Sequence, residues 1–234
     1  MQFPNAYRGI RKIFTAEILT MISGIILVLT LIFFGDALSG IAAGDASAMT
    51  GTAFAFVYVG GFASLLAIAA FFMNISGISR ASKDEESFKR AMIWLIIEII
   101  ASLVGSAAQS TSEIMASSAG VIGSLCEYMI NYNIVTGIIR LAEQLDREDV
   151  IRFGQKTIRL LTIVYAVVIF IEILTTVFAI AVKNPSAGAA GTIAAVIAIA
   201  AGIITVAAYI IYLRVLAKAK KMLEEQVPAP LDFR

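Results

Sequence analysis

Apolar residues along this chain run in long blocks. They show neither the three-and-four rhythm of a soluble surface helix nor the strict alternation of a half-buried strand. A helix that crosses a bilayer needs about 20 consecutive, mostly apolar residues. Six blocks approach that length, at residues 13–34, 53–75, 91–108, 117–141, 160–182 and 191–213. The pattern predicts an all-α fold, a polytopic membrane bundle of six transmembrane helices occupying residues 1–213. Residues 214–234 are predicted to form a cytoplasmic helical tail. The third block is short before Gln109, and the fourth carries more polar residues than a helix facing lipid on all sides would. The first block follows Arg8, Arg11 and Lys12 and precedes Ala37, Ser39 and Gly40, as a signal peptide would. Its apolar run exceeds the 7–15 residues of a signal core, so it reads as a retained helix.

Polar residues between the blocks set the expected orientation. Arg8, Arg11 and Lys12 precede the first block, and Arg80, Lys83, Lys89 and Arg90 separate the second from the third. Arg140, Arg147, Arg152, Lys156 and Arg159 separate the fourth from the fifth, and Arg214, Lys218, Lys220, Lys221 and Arg234 follow the sixth. The opposite connectors hold only Lys183. Seventeen bases against one place both termini in the cytoplasm of a cell-membrane protein by the positive-inside rule.

The connectors differ in kind. The stretch from Gly35 to Gly51 is rich in Gly, Ala and Ser and reads as a flexible, weakly anionic loop, and Lys183-Asn184-Pro185-Ser186 reads as a turn. Ser82-Lys83-Asp84-Glu85 reads as a capping box for the third helix, with Asp146-Arg147-Glu148-Asp149 a similar start before the fifth. Helix is expected to continue from Arg214 to Gln226 and to stop before Pro228. Bases on that segment are within reach of anionic headgroups.

A short repeat runs through the odd-numbered blocks. Glu17-Ile18-Leu19-Thr20 recurs as Glu172-Ile173-Leu174-Thr175, with Glu98-Ile99-Ile100-Ala101 a looser copy. Three copies of a two-helix hairpin would produce this pattern, and transporters often grow by such duplication.

Composition agrees with the block pattern. Hydrophobic residues make up 59% of the 234 and charged residues 15%, against about 45–50% and about 25% in soluble domains. Net charge is +1, which gives no indication of a nucleic-acid partner. The expected partners are the lipid bilayer and a second copy of the chain or another membrane subunit. Histidine is absent, and Cys126 is the only cysteine. No metal-binding, cofactor-binding or catalytic motif is present, so an enzyme is not expected and neither is a cofactor or a metal.

The most informative residues are carboxylates inside the blocks. An Asp at a helix centre costs about 2.5–3.5 kcal/mol on insertion scales, so intramembrane acids serve as pointers to function. Glu172 and Glu127 lie near the middle of the fifth and fourth blocks, and Glu98 lies a third of the way into the third. No Lys or Arg occurs at that depth. Glu17 is expected to reach water at the cytoplasmic end of the first block. Ser117, Gly120, Ser124, Glu127 and Asn131 share one helical face, as do Trp94, Glu98, Ser102, Gly105 and Gln109, and as do Tyr165, Glu172, Thr175 and Thr176. Such stripes should face inward, because hydrocarbon satisfies no polar group. The expected site for a cation or substrate is therefore Glu98, Glu127, Glu172 and Asn131, with Asn133 nearby.

Two functions follow as expectations. One is a small transporter or channel subunit for a cation or a proton-coupled small solute. The alternative is a non-transporting accessory or scaffold subunit of a larger complex.

Overall fold

A computed structural model describes residues 2–42, 51–108, 113–181 and 189–226. Residues 43–50 and 182–188, Gln109 and the tail from residue 227 lie outside the described residues. Among those described, the chain is wholly helical, with six helices: α1 (Pro4–Ala42), α2 (Gly51–Ala81), α3 (Glu86–Ala108), α4 (Glu113–Gln144), α5 (Glu148–Ala181) and α6 (Ala189–Glu224). The loop expected from Gly35 to Gly51 is helix instead at residues 35–42, where α1 continues, and at Gly51, where α2 begins. Four described segments are long and apolar enough to cross a membrane: Pro4–Phe33, Phe56–Ala81, Glu86–Ala108 and Glu148–Leu174. Their outer faces stay apolar, with Phe33 74% and Leu65 67% exposed. A water-soluble fold rarely leaves such large contiguous apolar surface uncovered. The chain is a helical membrane protein.

The helices group into two compact units. One comprises residues 11–77, and the other comprises residues 1–10 and 78–234.

The unit of residues 11–77 is an antiparallel hairpin of α1 and α2. Three polar contacts cross it in register. Lys12 Nζ donates to Ser76 Oγ at 2.9 Å, Asn74 Nδ2 donates to Glu17 Oε1 at 3.2 Å, and Ser23 Oγ donates to the Ala63 carbonyl at 2.8 Å. Glu17 is thus only 8% exposed and held by its neighbour helix, where the sequence suggested a residue reaching water. Thr15, Thr20 and Thr30 return their hydroxyls to carbonyls one turn back. A lipid-facing helix can carry threonine because that bond leaves no donor in hydrocarbon.

In the other unit, α4 packs against α3, α5 and α6. Its fully buried core lies toward one end, built from Phe88 of α3, Ile134, Ile138 and Leu141 of α4, and Leu216, Met222 and Leu223 of α6. Glycines permit the close approach there. A Cβ on Gly137 would lie 2.7 Å from the Phe88 ring, and one on Gly154 would lie 2.6 Å from Ile139 Cγ1. Small residues at helix contacts are how membrane helices gain dispersion energy without a hydrophobic driving force.

The turns at this end are polar and fully used. The sequence suggested a box beginning at Ser82. Instead, the Ser82 hydroxyl closes α2 on the Ser79 carbonyl. Glu85 caps α3, its Oε1 accepting the Ser87 N–H at 3.3 Å and the Ser87 hydroxyl at 3.0 Å. Glu85 also pairs with Arg140 of α4 at 3.2 Å. Asp84 caps α1 from a distance of nearly eighty residues in sequence, accepting the Ala6 N–H at 2.7 Å and Asn5 Nδ2 at 2.9 Å. A carboxylate there satisfies orphan donors and meets the positive end of the helix dipole. Pro4 opens that helix, where its missing N–H costs nothing. At the far end of α4, the Arg147 N–H bonds the Ala142 carbonyl at 2.9 Å and Asp146 takes φ 51°, a Schellman stop with aspartate at the left-handed position. Arg147 then pairs with Asp149 and with Glu225, beyond the end of α6. Helix α6 runs unbroken through Leu213 to Glu224.

Candidate functional site

The acids predicted on α3, α4 and α5 come together within the larger unit. Glu127 lies thirteen residues from Arg140 and Glu172 thirteen from Arg159. At 1.5 Å per residue each is about 20 Å from the nearest flanking charge. Glu98 is eight residues from Arg90, which is about 12 Å. Half of a typical hydrocarbon core is about 15 Å, so the three bracket its midplane if the arginines mark its edge.

Glu127 is the central member. It lies within electrostatic reach of Glu98 on α3 and of Glu172 on α5. Glu98 and Glu172 are half-buried, whereas Glu127 is on the open face of α4. Each acid's surroundings were written into the helical stripes. The Ser124 hydroxyl of α4 donates to Glu172 Oε1 of α5 at 2.7 Å. Asn131, 8% exposed, donates from Nδ2 to the Tyr165 hydroxyl at 3.0 Å. Tyr165 in turn hydrogen-bonds Glu127. Because that hydroxyl accepts from the amide, its own proton is left for the carboxylate. The resulting chain runs from the Asn131 amide through the Tyr165 hydroxyl to the Glu127 carboxyl.

Aromatic rings frame this chain. The Tyr128 ring lies 5.6 Å from that of Tyr165 and 5.9 Å from that of Tyr132, and its hydroxyl is 3.0 Å from Thr162 Oγ1. Polar groups on α4 and α5 therefore meet each other at three successive levels, Ser124 to Glu172, Asn131 to Tyr165 and Tyr128 to Thr162. Gly105 of α3 faces Ala119 of α4 so closely that an added Cβ would come within 2.7 Å.

Of the predicted site residues, Glu98, Glu127, Glu172 and Asn131 fall on this one surface. Asn133 does not join them, since its Nδ2 turns back to the Met129 carbonyl of its own helix at 2.6 Å. The side chains of Ser117, Thr175 and Thr176 lie outside the described residues. Tyr165 and Ser124 are working members that the sequence placed on the right faces without assigning them a role. The signal for Tyr165 was its position seven residues, or two turns, before Glu172. Among the described residues, no group of three or more His, Cys, Asp or Glu side chains is close enough to hold a metal ion. The acids influence one another at longer range than shared ligation requires.

Comparison with protein-family models, with curated proteins and with solved structures gives no match.

Proposed function

We propose that this protein is a small transporter or channel subunit that moves a cation or a proton-coupled solute across the cell membrane. Its acids Glu98, Glu127 and Glu172 would carry the charge at midmembrane depth, with Asn131 and Tyr165 fixing the central one. The proposal takes all six helices as spans, both termini as cytoplasmic, and residues 214–234 as a tail outside the bilayer. Three repeated hairpins would account for an acid on each odd-numbered helix.

The observation that carries this reading is the convergence of three acids from three helices at a depth where the sequence has no Lys or Arg. Charging all three acids at once without a cation or a proton among them is costly, because like charges in low dielectric repel over longer distances than in water. Glu127 on the open face of α4 adds a second point. An acid facing hydrocarbon is costly, so a second copy or another membrane subunit covering that face is the natural complement.

The test is flux into liposomes containing the purified chain, with a pH-sensitive dye and a panel of monovalent and divalent cations. Glu127→Gln and Glu172→Gln should each cut the flux at least tenfold while leaving the protein monodisperse. Flux equal to empty liposomes, or flux indifferent to both substitutions, removes the proposal.

The accessory-subunit reading is favoured by a different observation. Glu172 and Glu127 each hydrogen-bond across α4–α5, which would satisfy them with no transported ion. Under that reading the Gln variants change only stability or complex assembly.

A further inference from the structure

The cytoplasmic-facing ends of α5 and α6 carry bases at matched intervals. On α5 these are Arg152, Lys156 and Arg159, and on α6 they are Arg214, Lys218 and Lys221. In both sets the second base follows the first by four residues and the third by seven, which puts each set on one helical face. All six side chains are exposed. The two helices pack together, and Lys218 Nζ sits 4.5 Å above the Phe153 ring, which fixes the register between them. With α5 and α6 antiparallel, that contact sets Arg159, Lys156 and Arg152 each within about one turn of the height of Arg214, Lys218 and Lys221.

Charge is sorted along the helix axis. Residues 152–159 and 214–221 contain no acid, and the acids Glu148, Asp149, Glu224 and Glu225 occupy the ends away from the apolar blocks. Elsewhere in this unit Arg90 pairs with Glu86, Arg140 with Glu85, and Arg147 with Asp149 and Glu225. Among the described residues of the ladder, Arg152 alone has an ion pair, with Glu148 one turn back. Lys156, Arg159, Arg214 and Lys221 form no ion pair among the described residues. The rung Arg159–Arg214 abuts the first and last apolar residues, Leu160 and Leu213. That is the level of lipid phosphates for a helix entering a bilayer.

We infer that this double ladder is a binding site for the anionic headgroups of phospholipids, with phosphate diesters bridging bases of α5 and α6. Aligned like charges on neighbouring helices repel unless an anion lies between them, and an anionic leaflet supplies one at this depth. The site rests on the membrane assignment and is independent of the transport proposal.

The full chain in neutral detergent, titrated with phosphatidylglycerol or with phosphatidylcholine of the same acyl chains and read by native mass spectrometry, tests this. Phosphatidylglycerol should be retained at least tenfold more tightly, and the preference should fall steeply between 0.05 and about 0.5 M salt as exposed charges are screened. Each of Arg159→Gln, Arg214→Gln and Lys218→Gln should weaken phosphatidylglycerol binding by about fivefold. Lys83→Gln with Lys89→Gln, on the α2–α3 connector, should leave it unchanged. Inorganic phosphate at millimolar concentration should not displace the lipid, since the site sits at headgroup depth. Equal retention of the two lipids, an equal loss in the α2–α3 variant, or displacement by free phosphate would overturn the inference. If a ladder variant is poorly folded, the salt dependence and lipid preference of the unaltered chain decide the matter alone.

Discussion

Replacing Tyr165 by Phe isolates one hydroxyl at the centre of the acidic site. The ring is kept, so its 5.6 Å contact with Tyr128 survives. Two bonds are lost. Asn131 Nδ2 no longer has its acceptor at 3.0 Å, and Glu127 no longer has its donor. Hydrogen bonds between membrane helices contribute about 0.6 kcal/mol on average, with a maximum near 1.7. A buried donor left without an acceptor costs about 1–3 kcal/mol. Asn131 is 8% exposed, so water replaces the lost acceptor poorly. The expected destabilisation is therefore roughly 1–2 kcal/mol, which sits between those two limits.

Reversible unfolding in mixed micelles, with the denaturing detergent raised stepwise, measures it. A double-mutant cycle sharpens the reading. Asn131→Ala removes the amide that Tyr165→Phe would strand, so the double variant should be less destabilised than the sum of the singles by at least about 0.5 kcal/mol. Additive singles, or a Tyr165→Phe variant as stable as the parent, would show that the chain from Asn131 to Glu127 does not act as a unit. In liposomes, the same variant should retain less than half of the parent's flux.

Three further outcomes follow from particular contacts. Gly137→Val should destabilise the unit by about 1–3 kcal/mol, because an added Cβ already meets the fully buried Phe88 ring at 2.7 Å. Phe88→Leu in the same chain should recover part of that loss in the unfolding assay. Asp146→Gly should raise stability by up to about 1 kcal/mol, since residue 146 holds φ 51° with a side chain attached; unchanged or lower stability counts against the helix stop described. Asp84→Ala should cost about 0.5–2 kcal/mol and speed amide exchange at Ala6, whose N–H it leaves without an acceptor; unaltered exchange there would mean the cap is not formed in solution.

The membrane character and helical class were determined by the sequence, because both depend on local quantities. Block length, the scarcity of charge within blocks and the alternation of bases between them need no knowledge of which helix touches which. The three- and four-residue spacing also put Glu98, Glu127, Glu172 and Asn131 on definite helical faces. Spacing alone fixes which residues of one helix point the same way. It does not fix which neighbour they meet or at what height, and that is where the three-dimensional arrangement decided the outcome. Tyr165 became the link between Asn131 and Glu127 because α4 and α5 are antiparallel and in one particular register. Asn133, two residues from Asn131, rotates about 200° away on the helix and spends its amide on its own backbone. Glu17 is buried by Asn74 rather than reaching water, and Asp84 caps a helix that begins eighty residues earlier. The bonds of Tyr165, Glu17 and Asp84 depend on pairings between distant segments. Where α4 meets α3 and α5, Gly137 and Gly154 allow the close approach, and their consequence appears only when the opposing side chain is in place.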